Sequence, residues 1–130
     1  MKEPYWLTVE ECLALHEMML SHYGGSPGLR DANLLESALA KPKQLFAYGK
    51  PTMAELAASY IFGVVKNHPF IDGNKRTGFM LGAGFLERNG HPFNAGEADA
   101  ALQILALAAG ELSEAELALW LAANSQPISK

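Results

Sequence analysis

Two apolar segments joined by a short loop constrain the fold of this chain more than any other feature. Apolar side chains occupy nearly every side of a helix drawn through residues 52–67, and the same holds for residues 77–86. A helix that is apolar on all sides is usually buried. Gly78 and Gly82 lie one turn apart in the second segment, a spacing that lets a neighbouring helix approach closely. We therefore expect two central buried helices that flank the loop of residues 67–73.

Helix start and stop signals predict an all-α fold around this central pair. Three capping boxes, one N-cap aspartate and two stop glycines mark the helix ends: Thr8 with Glu11, Thr52 with Glu55, Ser113 with Glu116, then Asp31, Gly90 and Gly110. These signals predict six helices, over residues 8–22, 31–40, 52–67, 74–89, 97–109 and 113–124. Only residues 44–50 and 91–94 suggest short extended pieces. We expect one compact helical domain over residues 1–130.

Composition and charge exclude several classes of protein. The chain has 130 residues, of which 49% are hydrophobic and 18% charged, as in ordinary packed domains. Its single cysteine, Cys12, cannot form an internal disulfide, which favours a reducing, cytoplasmic location. Its apolar runs are shorter than the roughly 18 residues that span a membrane. The net charge of −4 disfavours direct binding to nucleic acid.

The basic residues are concentrated in one part of the chain. Residues 41–76 contain six of the ten lysines and arginines but only two acidic residues. A local positive zone on an acidic protein suits a small anionic ligand better than a long polyanion.

The most unusual segment lies inside this zone and combines a turn with a new helix. It reads His68-Pro69-Phe70-Ile71-Asp72-Gly73-Asn74-Lys75-Arg76. Proline disfavours a helical conformation at the preceding residue, so the first central helix should end at His68. The next helix should begin near Asn74, where its free amides attract anions. Lys75 and Arg76 oppose the helix dipole at this end, a placement that favours phosphate binding.

His68 and Asp72 add chemistry that phosphate binding alone does not need. Histidine can take a proton from a hydroxyl nucleophile near neutral pH. An aspartate beside phosphates is a typical ligand for magnesium. Each residue alone also has a structural explanation, but their combination favours group transfer from a nucleotide. A metal hydrolase is an alternative that lacks a third ligand, because no other histidine has a spacing that points to this loop.

The segment resembles the signature of the Fic/Doc superfamily. Lys75 is similar to the Doc (death-on-curing) branch, since ordinary Fic proteins usually carry glycine there and a second arginine where this chain has Phe79. The resemblance extends beyond the motif to three further segments: Leu15-His16, Tyr23-Gly24-Gly25-Ser26-Pro27-Gly28 and Arg88-Asn89-Gly90.

This resemblance implies a compact helical toxin that is paired with a small antitoxin, whose disordered C-terminal segment folds onto it. The toxin would transfer the γ-phosphate of ATP to a threonine or serine of elongation factor Tu and so block protein synthesis. By resemblance His68 is the base and Asp72 the Mg²⁺ carboxylate. The expected phosphate contacts are Gly73, Asn74, Lys75, Arg76 and Lys66. Residues 43–50 correspond to a flap that aligns the target peptide by backbone pairing.

Two alternatives remain, namely AMP transfer to a protein hydroxyl and a member of the family that binds without catalysis. The intact pair of His68 and Asp72 argues against the second. Lys75 fills space that the leaving phosphates need in AMP transfer. Because position 79 is not arginine, a charge-assisted hydrogen bond to the distal phosphate is lost, which is worth roughly 1.5–3 kcal/mol. Phosphoryl transfer is therefore preferred. The chain also lacks the inhibitory pattern [Ser/Thr]-x-x-x-Glu-[Gly/Asn] of many Fic proteins, so restraint should come from another chain.

Overall fold

Six α-helices account for the fold in the computed structural model, which describes residues 2–127. They are α1 (Val9–Tyr23), α2 (Ala32–Tyr48), α3 (Met53–Asn67), α4 (Asn74–Arg88), α5 (Glu97–Ala108) and α6 (Glu114–Ala123). Within residues 2–127, extended pairing is limited to two isolated bridges, Leu29 with Phe70 and Phe93 with Ser125. None of the six helices is both long and apolar enough to cross a membrane. The all-α prediction is confirmed. The single-domain prediction also covers Met1 and residues 128–130, which lie outside the described residues, and it stays a prediction.

The predicted central helix is α3, which packs against α2, α4, α5 and α6. Its residues Leu56, Ala57, Tyr60, Ile61 and Val64 are fully buried. Burial of this kind stabilises a protein by about 1.5–3 kcal/mol for each large apolar side chain. The long sequence of apolar positions in α3 therefore reflects contact on every side.

Gly82 allows α4 to lie directly against α3. A Cβ atom built at Gly82 would lie 2.5 Å from the Ile61 side chain and 3.0 Å from the carbonyl oxygen of Ala57. The predicted close approach is thus confirmed. The opposite side of α4 is different, because Met80 and Gly84 on that side are exposed.

The three predicted capping boxes are present, at the starts of α1, α3 and α6. Asp31 caps α2 by accepting a hydrogen bond from the N–H of Leu34 at 3.1 Å. Gly90 and Gly110 both have φ near +80° just beyond α4 and α5, as expected of stop glycines.

The main difference from the predicted helices concerns α2. The sequence predicts a helix over residues 31–40 and a possible extended piece at 44–50, whereas α2 continues through Pro42 to Tyr48. The predicted extended structure at 44–50 is therefore wrong. The backbone groups of residues 43–48 lie within the helix, so they are not free for the backbone pairing expected of a flap.

Burial explains why α2 passes through a proline. Pro42 removes a helical hydrogen bond to the carbonyl group of Ala38. It is nevertheless buried on the same face as Leu35 and Leu39. Phe46, one turn further, makes an edge contact with Trp6 at 5.6 Å between ring centroids. These contacts offset the local cost of the proline.

Candidate active site

The geometry of the site begins with the motif loop, which we define as residues 68–73 between α3 and α4. His68 ends α3 with φ 54° and ψ 54°, in the left-handed region. Among residues 2–127 it is the only non-glycine residue with a positive φ. Gly73, with φ 79°, precedes the first residue of α4. Two left-handed residues thus bound the loop, one of them at little cost because it is glycine.

Buried contacts hold the middle of the motif loop. Phe70 is 1% exposed and anchors the loop in the core. The Asn74 side chain accepts a hydrogen bond from the N–H of Phe70 and donates one to its carbonyl oxygen, both at 3.0 Å. Because these bonds hold the Asn74 side chain against the buried loop, its backbone N–H, in the open first turn of α4, is the group we expect to contact a phosphate.

His16 of α1 supports the loop from beneath. Its ring stacks on Phe70, with centroids 3.8 Å apart and planes at 8°. Its Nε2 lies 2.8 Å from the carbonyl oxygen of Asp72. A carbonyl oxygen can only accept, so Nε2 carries the proton and donates. The sequence spacing of His16 gave no sign of this contact, in which His16 acts as a donor and not as a metal ligand.

Backbone amides orient the Asp72 carboxylate. Its Oδ2 accepts from the N–H of Ser26 at 3.1 Å and its Oδ1 from the N–H of Gly73 at 2.9 Å. These bonds, with a smaller effect of Arg76 and His16, lower the pKa of Asp72 below its ordinary value. Gly25 leaves room for this arrangement, since a Cβ there would lie 2.9 Å from Oδ2. Asp72 is therefore ionised and held in one orientation at neutral pH.

The Asp72 carboxylate fits the needs of a magnesium ion. Each oxygen accepts one N–H bond and keeps further lone pairs for a ligand. Within the described part of the chain, no cluster of three or more histidine, cysteine, aspartate or glutamate side chains is suited to hold a metal. Magnesium is commonly bound by one or two carboxylates together with phosphates and water. Asp72 is the ligand that this chain offers for such a site.

The first turn of α4 presents positive charge to the same region. Within residues 2–127, no side chain caps this helix, so its first amides are open to an anion. Lys75 and Arg76 are exposed at this end. The Arg76 guanidinium lies over the Tyr23 ring, 4.4 Å from its centroid, which is cation–π geometry.

These groups meet in one cavity of about 890 Å³. It is lined by six of the seven predicted site residues, namely His68, Asp72, Gly73, Asn74, Lys75 and Arg76. Its other wall is formed by α4 and α5 and is mostly apolar, including Phe79, Met80 and Leu105, with the acidic Glu97 at the start of α5. Met80, on the exposed side of α4, therefore faces this cavity. A smaller cavity of about 270 Å³ near Pro92 has no titratable side chain in its lining.

Lys66 is the predicted site residue that the structure does not bring to this cavity. Its Nζ lies 3.5 Å from the carbonyl oxygen of Ala108, near the end of α5. It also lies 6.0 Å from the centroid of the Phe62 ring. In this position the Lys66 side chain serves the packing of α5 on α3.

Cys12 takes no part in the site. It is fully buried in the core, and burial raises the pKa of its thiol to about 12. A neutral, enclosed thiol is neither a nucleophile nor a metal ligand.

Comparison with known proteins identifies the family. Residues 6–86 match a family model described as the Fic/DOC family. The chain belongs to this family. The matched region contains α1 to α3, the motif loop and most of α4, and therefore all the residues that hold Asp72 and His68.

Two relatives of this Fic/DOC-family chain have descriptive names. A protein of Escherichia phage P1 named Protein kinase doc is 36% identical over 85 residues, which cover 65% of this chain and 68% of that protein. A protein of Mycolicibacterium smegmatis named Toxin Doc is 38% identical over 71 residues, 52% of this chain and 54% of that protein. The second match thus spans about half the length of the relative.

Reasoning from the motif alone missed the residues that support the site from α1 and the α1–α2 connection. His16 and Ser26 contact Asp72, although they lie 56 and 46 positions away in the sequence. Their only signal was that Leu15-His16 and Tyr23-Gly24-Gly25 resemble segments of Doc proteins.

Proposed function

We propose that this chain is the toxin of a toxin–antitoxin pair and acts as a protein kinase. It transfers the γ-phosphate of ATP to a threonine or serine hydroxyl of a translation factor, which is elongation factor Tu by family resemblance. The observation that carries this proposal is the convergence of His68, the ionised Asp72 and the basic start of α4 on one cavity. The relative named Protein kinase doc supports the class of reaction.

In the proposed mechanism His68 is the general base. The target hydroxyl oxygen forms a bond to the γ-phosphorus as the bond to the bridging oxygen breaks, and ADP leaves. His68 takes the proton of the hydroxyl, a task that suits an exposed imidazole near neutral pH.

Charge on the transferred phosphate is stabilised by the start of α4. The amides of its first turn, Lys75 and Arg76 supply fixed positive potential where phosphate oxygens would lie. Asp72 would hold Mg²⁺, which when bound neutralises phosphate charge and orients the oxygens.

AMP transfer is the second candidate, and two residues disfavour it. Lys75 is exposed at the start of α4, where its side chain occupies space that a smaller residue would leave for phosphate groups. Phe79 lines the cavity and packs edge-on against Phe93 at 5.5 Å. It offers no positive charge for a distal phosphate. A member of the family that binds ATP without catalysis is disfavoured because His68 and Asp72 are both present and oriented.

An antitoxin is the expected partner, since a relative is named Toxin Doc and the chain has no inhibitory pattern of its own. We propose that its disordered C-terminal segment folds onto the toxin. The exposed apolar residues Met80 and Leu105 offer a contact surface beside the basic end of the cavity. Action on a translation factor places the proposed pair in the cytoplasm.

Induced expression of this chain in cells that lack the antitoxin tests the toxin role. We expect incorporation of labelled amino acids to stop with the native chain and to continue with His68→Ala. His91→Ala is the matched control, because His91 lies outside the cavity, and it should behave as the native chain does. Continued incorporation with the native chain, or arrest by a folded His68→Ala chain, would contradict the proposal.

A further inference from the structure

His68 adopts a conformation that its own sequence context opposes. A left-handed backbone is uncommon for a residue with a side chain. The residue before a proline is further biased toward extended structure. His68 has φ 54° and ψ 54° and is followed by Pro69. Such a conformation persists only where surrounding contacts determine it.

Only half of the usual closure of a left-handed helix end is available at this position, because the N–H of His68 donates to the carbonyl oxygen of Val64 at 3.1 Å but the second bond cannot form. In the common motif, the N–H of the residue after the left-handed one donates back to the helix. That residue is Pro69, which has no N–H. The last carbonyl groups of α3 therefore need another donor.

Arg30, in the connection between α1 and α2, supplies that donor. Its Nε donates to the carbonyl oxygen of His68 at 2.7 Å, and its Nη2 donates to that of Asn67 at 2.8 Å. One planar guanidinium thus bonds two consecutive carbonyl groups. Its positive charge also lies at the negative end of the α3 dipole.

These two bonds fix both backbone angles of His68. The peptide plane before its Cα contains the carbonyl group of Asn67, and the plane after it contains the carbonyl group of His68. The angles φ and ψ describe how these two planes rotate about that Cα. A rigid guanidinium bonded to both planes leaves little freedom in either angle.

Arg30 is itself held against the loop. Its backbone N–H donates to the carbonyl oxygen of Pro69 at 2.6 Å, and that of Asp31 donates to the same oxygen at 3.0 Å. The N–H of Ile71 donates to the carbonyl oxygen of Gly28 at 3.0 Å. The guanidinium therefore extends from a backbone that is already paired with the motif loop.

We propose that Arg30 is a positioning residue that holds His68 in its left-handed conformation and so aims the imidazole into the cavity. The catalytic part of this inference rests on the proposed function of His68 as the base. Arg30 does not line the cavity and makes no contact with the reacting atoms in this arrangement.

Two substitutions and one control test this role. Arg30→Gln removes the charge and the fork of donors, whereas Arg30→Lys keeps the charge but cannot bond two carbonyl groups in a planar fork. Arg88→Gln is the matched control, because Arg88 pairs with Glu11 on the surface at the far end of α4.

The first readout is the backbone of His68, measured by nuclear magnetic resonance on the free protein. A strong intraresidue nuclear Overhauser effect between amide and Hα protons marks a positive φ. We expect it in the native chain and in Arg88→Gln, and we expect it to weaken in Arg30→Gln and, less so, in Arg30→Lys. An unchanged effect in both Arg30 variants would overturn the proposal.

The second readout is the kinetics of transfer to the proposed target. We expect Arg30→Gln to lower kcat roughly 10- to 100-fold, as for a misplaced catalytic group. The KM for ATP should change less than about twofold, since phosphate contacts are retained. Arg30→Lys should recover part of kcat. A kcat equal to that of the native chain in Arg30→Gln would overturn the positioning role. Activity of His68→Ala would overturn the proposed base and leave the nuclear magnetic resonance result to decide the structural role of Arg30.

Discussion

The side chains of the motif divide into those that face the cavity and those that hold the loop. His68, Asp72, Lys75 and Arg76 are exposed, whereas Asn74 is buried. A motif side chain can therefore serve the site by holding the loop. Asn74 is the clearest case, since its side chain bonds both backbone groups of Phe70.

Substitution of Asn74 should affect stability before it affects ATP binding. Asn74→Ala leaves the buried N–H and carbonyl groups of Phe70 unpaired, which should lower the free energy of unfolding by about 1–3 kcal/mol. Chemical denaturation measures this change, with the exposed Asn94→Ala as the control. If Asn74→Ala has native stability but weaker ATP binding, its side chain contacts phosphate and our interpretation is wrong.

The identity of residues 75 and 79 should decide which phosphate of ATP is attacked. The double substitution Lys75→Gly with Phe79→Arg frees space at the start of α4 and adds a charge in the cavity wall. We expect the product to shift from phosphoryl toward adenylyl transfer. Parallel reactions with ATP labelled in the α- or the γ-phosphate distinguish these products. A double variant that binds ATP and still transfers only the γ-label would show that these residues do not determine the orientation of bound ATP.

At the scale of elements, the contact between α3 and α4 determines where the motif loop lies. Their close approach depends on Gly82, where an added Cβ would meet Ile61 and the backbone of Ala57. Gly84 belongs to the same helix, but no atom lies within 4 Å of a Cβ built there. Both glycines are helical, but only Gly82 lies in close contact with α3.

The two glycines should therefore respond in opposite directions to alanine. Gly82→Ala should destabilise the protein by about 1–3 kcal/mol, because α3 and α4 must separate or repack. Gly84→Ala should stabilise it by about 0.5–1 kcal/mol through better helix propensity. Denaturation midpoints of the two variants measure the difference. Equal stabilisation by both substitutions would contradict the tight α3–α4 contact.

The helices could be predicted from local signals, except for the part of α2 that continues beyond residue 40. Capping residues and stop glycines mark the other helix ends within a few positions of where they lie. In α2 the local rule that proline ends a helix is overridden by burial of Pro42 and by the contact of Phe46 with Trp6. A contact between residues so far apart in sequence leaves no local pattern.

At the scale of the whole molecule, the positive zone of the sequence is divided among three places. Lys75 and Arg76 lie at the cavity, and Lys66 lies beside the end of α5. Lys41 and Lys43 belong to the second half of α2, and Lys50 lies in the connection that follows it. The cavity thus combines two cations and free helix amides with an apolar wall, which suits a compact anion such as a nucleotide.

The candidate site, like α2, could be predicted only in part, because some of its contacts join residues that are far apart in the sequence. His68, Asp72 and residues 73–76 are contiguous, so their shared location follows from one turn between two helices. His16, Ser26 and Arg30 reach the motif loop through the packing of α1 and of the α1–α2 connection. Their contacts depend on the complete fold and have no counterpart in residue spacing.

The most direct test of the proposed chemistry is the intact mass of elongation factor Tu after incubation with this chain, ATP and Mg²⁺. We predict a gain of one phosphoryl group, which is absent when His68→Ala replaces the native chain. A gain of one adenylyl group would show that Lys75 and Phe79 do not exclude AMP transfer. No gain in mass with a folded chain that binds ATP would contradict the proposed target and reaction together.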